Sequence, residues 1–175
     1  MNLPASSLQE LYKINVRLCY PFVEAVLSTL STQCGVAGRM GKPFFKSIDL
    51  NNQTDIAIST SIASNESQST VVFVFSEPIF LTLMGKMYGQ NYSQLSPELE
   101  DGAKEFINIV FNRAKKPLAE KGMAAVRAIP QITFGHSMKI SYLTRGQTIA
   151  LPLETDVGTI TVEITTQDVT VSDSI

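Results

Sequence analysis

β-prone runs stand on both sides of a long helical stretch, and that order limits the folds open to this chain more than any other feature. Before the helices come FFKSIDL (44–50), TDIAISTSIA (54–63) and STVVFVFSE (69–77); after them come IPQITFG, MKISYL, TIALPLE and GTITVEIT. β-branched and aromatic residues alternate or run together in all of these, as they do in strands. NNQ supplies a turn after the first run, and ASNES supplies a hairpin turn between the second and third. The uninterrupted VVFVF suits a strand covered on much of its surface.

The helical stretch has its own punctuation. EPIFLTLMGKMYG places Pro78 in a first turn and Gly89 at a stop. Ser96 and Pro97 then open a second helix that runs at least to Lys116, with Pro117 marking a kink before Gly122. Another helical pattern covers 8–30 on both sides of Pro21, where a kink or a new first turn is expected, and the glycine-rich CGVAGRMGKP follows as a connecting loop. The tail TTQDVTVSDSI is expected to be loosely held. No linker or short repeat divides the chain. The expected fold is one α/β-layered (α+β) domain over 1–175, with a mostly antiparallel sheet and two long central helices.

A chain of 175 residues, 44% hydrophobic and 17% charged, has enough apolar material for one core. Its formal charge of -2, with no concentration of Lys and Arg, disfavours a nucleic-acid partner. No apolar run reaches the roughly 20 residues of a bilayer span, and no signal-peptide pattern follows Met1, so a cytoplasmic location is expected. Cys19 and Cys34 read as reduced core residues, and a single histidine, His136, after a strand, argues against a zinc site. Gly35, Gly38 and Gly41 lack the full phosphate-loop spacing, because GRMGKP ends in proline. Neither His136 nor Cys34 has the acid and base neighbours of a catalytic triad. Phe80, Leu83, Met84, Met87 and Tyr88 form an apolar stripe that reads as core.

One helix face carries the chemistry. At about 100° per residue, Asp101, Glu105, Asn108 and Asn112 share a sector of roughly 60°, opposite Ala103, Phe106, Ile107, Val110, Ala114 and Leu118. Glu105 and Asn108 stand one turn apart, side by side on a rigid surface. The Asn108 carboxamide can accept and donate at once, and so orient a water without titrating. The Glu105 carboxylate can pair with a partner's lysine, or take a proton if burial raises its pKa. Lys115 and Lys116 extend the same face toward an acidic surface, a placement that the helix dipole also favours. A polar row opposite an apolar stripe is also what any surface helix shows.

The spacing Asp101-GAK-Glu105-FI-Asn108 resembles the motif of the CheC/CheX/FliY family of chemotaxis phosphatases, and its single complete copy is closest to CheX. Asn112-Arg113-Ala114-Lys115 is similar to the GNAK segment that follows the motif, Tyr20-Pro21-Phe22 to the NPF start of the first helix, and the stretch ending at Pro130 to the SxP region. The resemblance spans about 8–165. It departs at Tyr20, where asparagine is common, at Phe111, where glycine is usual, and at the RAI before Pro130. Phe111 lies toward the apolar side of the helix, so it is expected to alter packing rather than chemistry.

The resemblance implies a CheC-like fold and an aspartyl-phosphate phosphatase acting on a phosphorylated CheY-like response regulator. It implies that Glu105 engages the regulator's lysine and that Asn108 positions the attacking water. Asp101, Asn112 and Lys115 would shape the partner-binding surface, and Mg2+ would come with the regulator rather than as a cofactor of this chain. It also implies a homodimer joined through sheet edges, with GTITVEIT as a strand able to supply one. The alternative is a regulator-binding or flagellar-assembly adaptor without turnover.

Overall fold

The computed structural model describes residues 19–46, 54–63, 67–122, 126–127, 130–138 and 148–168. Helix α1 runs through 19–29 and ends in a π-helical turn, Leu30–Cys34. It passes through Pro21, and the part of the expected helix before Cys19 lies outside the described residues. Strands β1 (Gly38–Met40), β2 (Phe44–Lys46), β3 (Thr54–Ala63) and β4 (Ser67–Phe75) follow. Helices α2 (Glu77–Tyr88) and α3 (Pro97–Glu120) come next, then β5 (Val126–Arg127), β6 (Gln131–Met138), β7 (Thr148–Thr155) and β8 (Gly158–Asp168).

Every strand pair is antiparallel, and one eight-stranded sheet carries the order β1-β7-β8-β4-β3-β5. β2 lies beside β1 on the outer side of β7, and β6 lies beside β5 on the outer side of β3. The chain therefore runs twice through the same order of helix, two edge strands and hairpin, and each pair of edge strands adds to the other half's hairpin.

Registered rows of apolar side chains make the core face. Ile132, Ile58, Phe73, Val162 and Leu151 stand opposite one another across five strands. The helices seal this face through aromatic rings. Phe22 of α1 meets Phe73 edge-on with centroids 6.3 Å apart, and Phe75 meets Phe80 of α2 at 5.8 Å and Phe106 of α3 at 6.1 Å. In VVFVF, Val71, Val72, Phe73 and Phe75 are buried, so β4 is covered on both faces. On the opposite face Lys46 Nζ lies 2.5 Å from Glu163 Oε1, both side chains buried, next to a Thr148–Thr165 hydroxyl contact of 2.6 Å.

Several expectations need correction. The stretch read as a connecting loop contains β1, whose three residues pair with β7. GTITVEIT, expected to offer an edge, forms β8 between β7 and β4 in the interior of the sheet. His136 lies within β6 rather than after a strand. Of the two central helices only α3, with 24 residues, is long; α2 has 12. α3 meets the expected minimum at Lys116 and continues through Pro117 to Glu120. MKISYL beyond Met138, the SIDL of FFKSIDL, the NNQ turn and the end after Asp168 lie outside the described residues.

Candidate functional site

α3 begins at Ser96, whose backbone is extended and whose side chain makes no capping bond. The first turn closes instead through the Leu99 N–H donating to the Ser96 carbonyl at 3.0 Å, with Pro97 at the first position and Glu98 and Glu100 beside the positive helix end. Leu99, Ala103, Phe106, Ile107, Val110, Phe111, Ala114 and Leu118 are all buried, which fixes the rotation of the helix about its axis. Phe111 packs edge-on against Phe22 at 5.2 Å, so one of the three departures from the family pattern joins α3 to α1. Arg113 adds a polar clamp, donating to Ser28 Oγ at 2.6 Å and Thr32 Oγ1 at 2.8 Å.

With the apolar side committed, Asp101, Glu105, Asn112 and Lys115 are exposed and Asn108 is half-buried between them. All five expected residues therefore share one outward stripe of a single helix. Asp101 accepts from Lys104 Nζ at 3.1 Å, and the same ammonium lies 3.1 Å from Glu100. The hydrogen bonds that Lys104 donates to Glu100 and then to Asp101 hold its pKa above the ordinary value. Lys116, next to the stripe, stands 4.0 Å from Glu120.

Glu105 has a partner that sequence reasoning assigned to the core. Tyr88, the last residue of α2, is 40% exposed, and its hydroxyl donates to Glu105 Oε2 at 2.8 Å. Phe80, Leu83 and Met84 of the same apolar stripe are buried as expected, and Met87 is partly buried. Tyr88 differs because α2 ends there: Gly89 takes the left-handed conformation (φ 67°) that stops the helix, which leaves the phenol at the rim of the core. Desolvation by burial first, then the bond to Glu105 and that carboxylate's charge, push the Tyr88 pKa up to about 12.

The ring reaches Glu105 because α3 has a glycine one turn earlier. A Cβ at Gly102 would stand 3.0 Å from Met84 Sδ and 3.0 Å from Tyr88 Cε2. Glycine inside a helix costs about 1 kcal/mol relative to alanine, so Gly102 was the legible signal that something lies close at this point.

The stripe lies on the outside of a helix. The hollow lined by Thr82, Lys86, Gln90 and Tyr92 at the end of α2 contains none of its residues. A carboxylate and a carboxamide one turn apart on such a convex surface have reach and rigidity but no walls. They can complete a reaction centre that another macromolecule carries. Among the described residues no group of three or more His, Cys, Asp or Glu could hold a metal ion, and no helix is long and apolar enough to cross a membrane. Cys19 and Cys34 are free and buried, and burial raises both thiols, Cys34 to about 11.

Comparison with known proteins places this geometry. No curated protein sequence matches the chain. A CheC-like superfamily protein from Shewanella sp. PV-4 is 27% identical, with a TM-score of 0.79 over 87% of this chain and 99% of its own. The chemotaxis protein CheX from Vibrio vulnificus is 25% identical, with a TM-score of 0.78 over 86% and 99%. The CheX–CheY–BeF3–Mg2+ complex from Borrelia burgdorferi contains a chain of the same fold, 22% identical, with a TM-score of 0.70 over 86% of this chain and 97% of that one. The profile described as chemotaxis phosphatase CheX matches residues 58–154, more than half of the sequence, including α2 and the whole of α3. With that match and an antiparallel sheet and helices shared along nearly their full length with CheX and CheC-like structures, this chain belongs to the chemotaxis phosphatase CheX family.

Proposed function

We propose that this protein hydrolyses aspartyl phosphate on a CheY-like response regulator, with α3 as the element that enters the regulator's active site. The observation that carries the reading is the pairing of Glu105 and Asn108, one turn apart on the exposed side of a helix whose other side is locked into the core. Support for the partner comes from the Borrelia CheX, which was crystallised with CheY, BeF3 and Mg2+.

Glu105 pairs with the regulator's active-site lysine and sets the docking angle. Asn108 then holds a water in line with the phosphorus, accepting from it through the carboxamide oxygen and donating through the amide. The water oxygen bonds to phosphorus, the bond to the regulator's aspartate breaks, and the carboxylate leaves with its electron pair. Mg2+ bound by the regulator would offset the charge on the phosphoryl oxygens. Asp101, Asn112 and Lys115 border the docking surface. Such a partner makes the cytoplasm the site of action, and self-association, if present, uses the outer strands β2 or β6 rather than β8.

The test is a panel of regulators from the same genome, loaded with acyl phosphate and mixed with substoichiometric protein and Mg2+. Repeated turnover is expected on at least one. Asn108→Ala should keep affinity for a beryllofluoride-activated regulator and lose about 100-fold or more of the acceleration, whereas Glu105→Ala should lose both in part. Saturable binding with unchanged phosphate decay would establish the adaptor reading instead, and full acceleration by folded N108A would remove the water-positioning role.

A further inference from the structure

We infer that Tyr88 is a positioning residue for Glu105: its phenol, brought from α2 across Gly102, holds the glutamate carboxylate in the orientation that meets the partner. The inference rests on the phosphatase reading of α3 and adds a residue from a second helix to that site.

An exposed glutamate has three rotatable side-chain bonds, and fixing them on docking costs about 1 kcal/mol or more. Here that ordering exists before any partner arrives. Side chains on a helix lean toward its N-terminus, so the Glu105 carboxylate is directed over the preceding turn, where Gly102 stands. The missing Cβ at Gly102 leaves room there for the Tyr88 ring, whose Cε2 lies 3.0 Å from where a Cβ would be. The hydroxyl of that ring donates to Oε2 at 2.8 Å. A carboxylate has about four acceptor positions, so one bond to Tyr88 leaves Oε1 and a lone pair of Oε2 for a lysine. Neighbouring charges do not compete for the phenol: the Lys104 ammonium lies with Glu100 and Asp101. Tyr88 remains a donor at every physiological pH, because burial first, and then the bond to Glu105 and that carboxylate's charge, disfavour the phenolate.

The hydrogen bond is local and the ring is packed, which separates two roles that a single deletion would mix. Tyr88→Phe keeps the ring over Gly102 and removes only the donor. In kinetics on the regulator that the wild-type protein dephosphorylates fastest, Y88F should raise KM about three- to tenfold with kcat little changed, the range that one net hydrogen bond commands. Affinity for the beryllofluoride-activated regulator should fall by the same factor, equally in the wild-type and N108A backgrounds. In the E105A background, Y88F should have no effect, which no general loosening of α2 would produce. A regulator-free measurement accompanies these. The 13Cζ titration of Tyr88, assigned by its loss in Y88F, should have a lower midpoint in Glu105→Gln than in the wild-type protein.

Four results would overturn the inference: an unchanged KM in Y88F, a Y88F loss that persists in E105A, an acceleration by Y88F, which would make Tyr88 a restraint to be broken, or identical Tyr88 titrations in wild type and E105Q. If E105A and N108A both keep full activity, the phosphatase reading fails and the positioning role falls with it. If they lose activity while Y88F does not, only the role of Tyr88 fails.

Discussion

Gly102→Ala is the smallest change that tests the crossing of α2 and α3. In an unobstructed helix interior it stabilises by about 0.8–1.0 kcal/mol, because alanine loses less backbone freedom than glycine. At this position the methyl group would sit 3.0 Å from both Met84 Sδ and Tyr88 Cε2. Ordinary carbon contacts begin near 3.5 Å, so each neighbour must retreat by about half an ångström. The thioether is flexible and can move at little cost, whereas the ring is held by its hydroxyl. Overpacking of this kind costs about 1–3 kcal/mol, which offsets the propensity gain and leaves a net loss of about 0–2 kcal/mol. For a chain of this size that lowers Tm by at most about 8 °C. Removing the ring separates the two effects. In a Tyr88→Ala background the ring no longer obstructs and the flexible Met84 can move, so G102A should stabilise by about 0.5–1 kcal/mol, a coupling of about 0.5–3 kcal/mol between the two positions. Urea denaturation of the four proteins, followed by circular dichroism, measures this. G102A should also weaken regulator binding as Y88F does, since a retreating ring stretches the 2.8 Å O–H···O bond to Glu105 to or beyond its limit of about 3.0 Å. If G102A stabilises the wild-type protein as much as it stabilises Y88A, the close approach does not exist in solution.

Lys46→Met should destabilise by about 3–5 kcal/mol, about 6–20 °C in Tm, because it removes the ammonium that pairs with the buried Glu163 carboxylate, and replacing Glu163 by Met as well should restore most of the loss; a single-variant change below about 1 kcal/mol would refute this. Stability should depend on alkaline pH through Tyr88. Its pKa is pushed up to about 12 from an ordinary 10.0, so the folded state retains a proton that the unfolded state has released. That contribution is complete below about pH 10 and is lost as pH rises toward about 12, and denaturation midpoints across this window should fall more steeply for wild type than for Y88F. Light scattering over a concentration series should show mass above 19.2 kDa, with Phe44→Asp on β2 or a charge on β6 returning it to that value if the respective edge is used. A constant 19.2 kDa in the unaltered protein counts against self-association.

What could be read before the structure divides along physical lines. TDIAISTSIA coincides with β3, since its alternation is a local pattern that burial of one face enforces. The outward stripe of α3 was legible for the same reason, because helical period and apolar side together fix which residues face out. Strand order was not. GTITVEIT reads the same at an edge or in the middle, and its place between β7 and β4 depends on partners far along the chain. β1 was hidden because GRM has no strand propensity of its own and is extended only where β7 pairs with it. Tyr88 was missed because periodicity assigns a residue to a face and says nothing about where along that face the core ends. Gly102 was the one local clue, a poor helix former kept in a long helix, and it marks close approach without naming the neighbour.

The exchange of edge strands has a consequence for how the chain is made. β1 and β2 leave the ribosome early, yet the strand that holds them is β7, with Gly38 opposite Thr155 and Lys46 opposite Thr148. The first hairpin likewise waits for β6 to cover the outer side of β3, through pairs such as Ile56 with Phe134. Neither half can finish its own sheet, so closing these long loops has to precede most of the stabilising contacts, and the chain has high contact order for its length. Folding is therefore expected to be slow and close to all-or-none. Until β6 is synthesised, the β3–β4 hairpin has both edges bare, and the edge of β4 stays open until β8 follows, so the nascent chain is most open to pairing with a neighbouring copy over that interval.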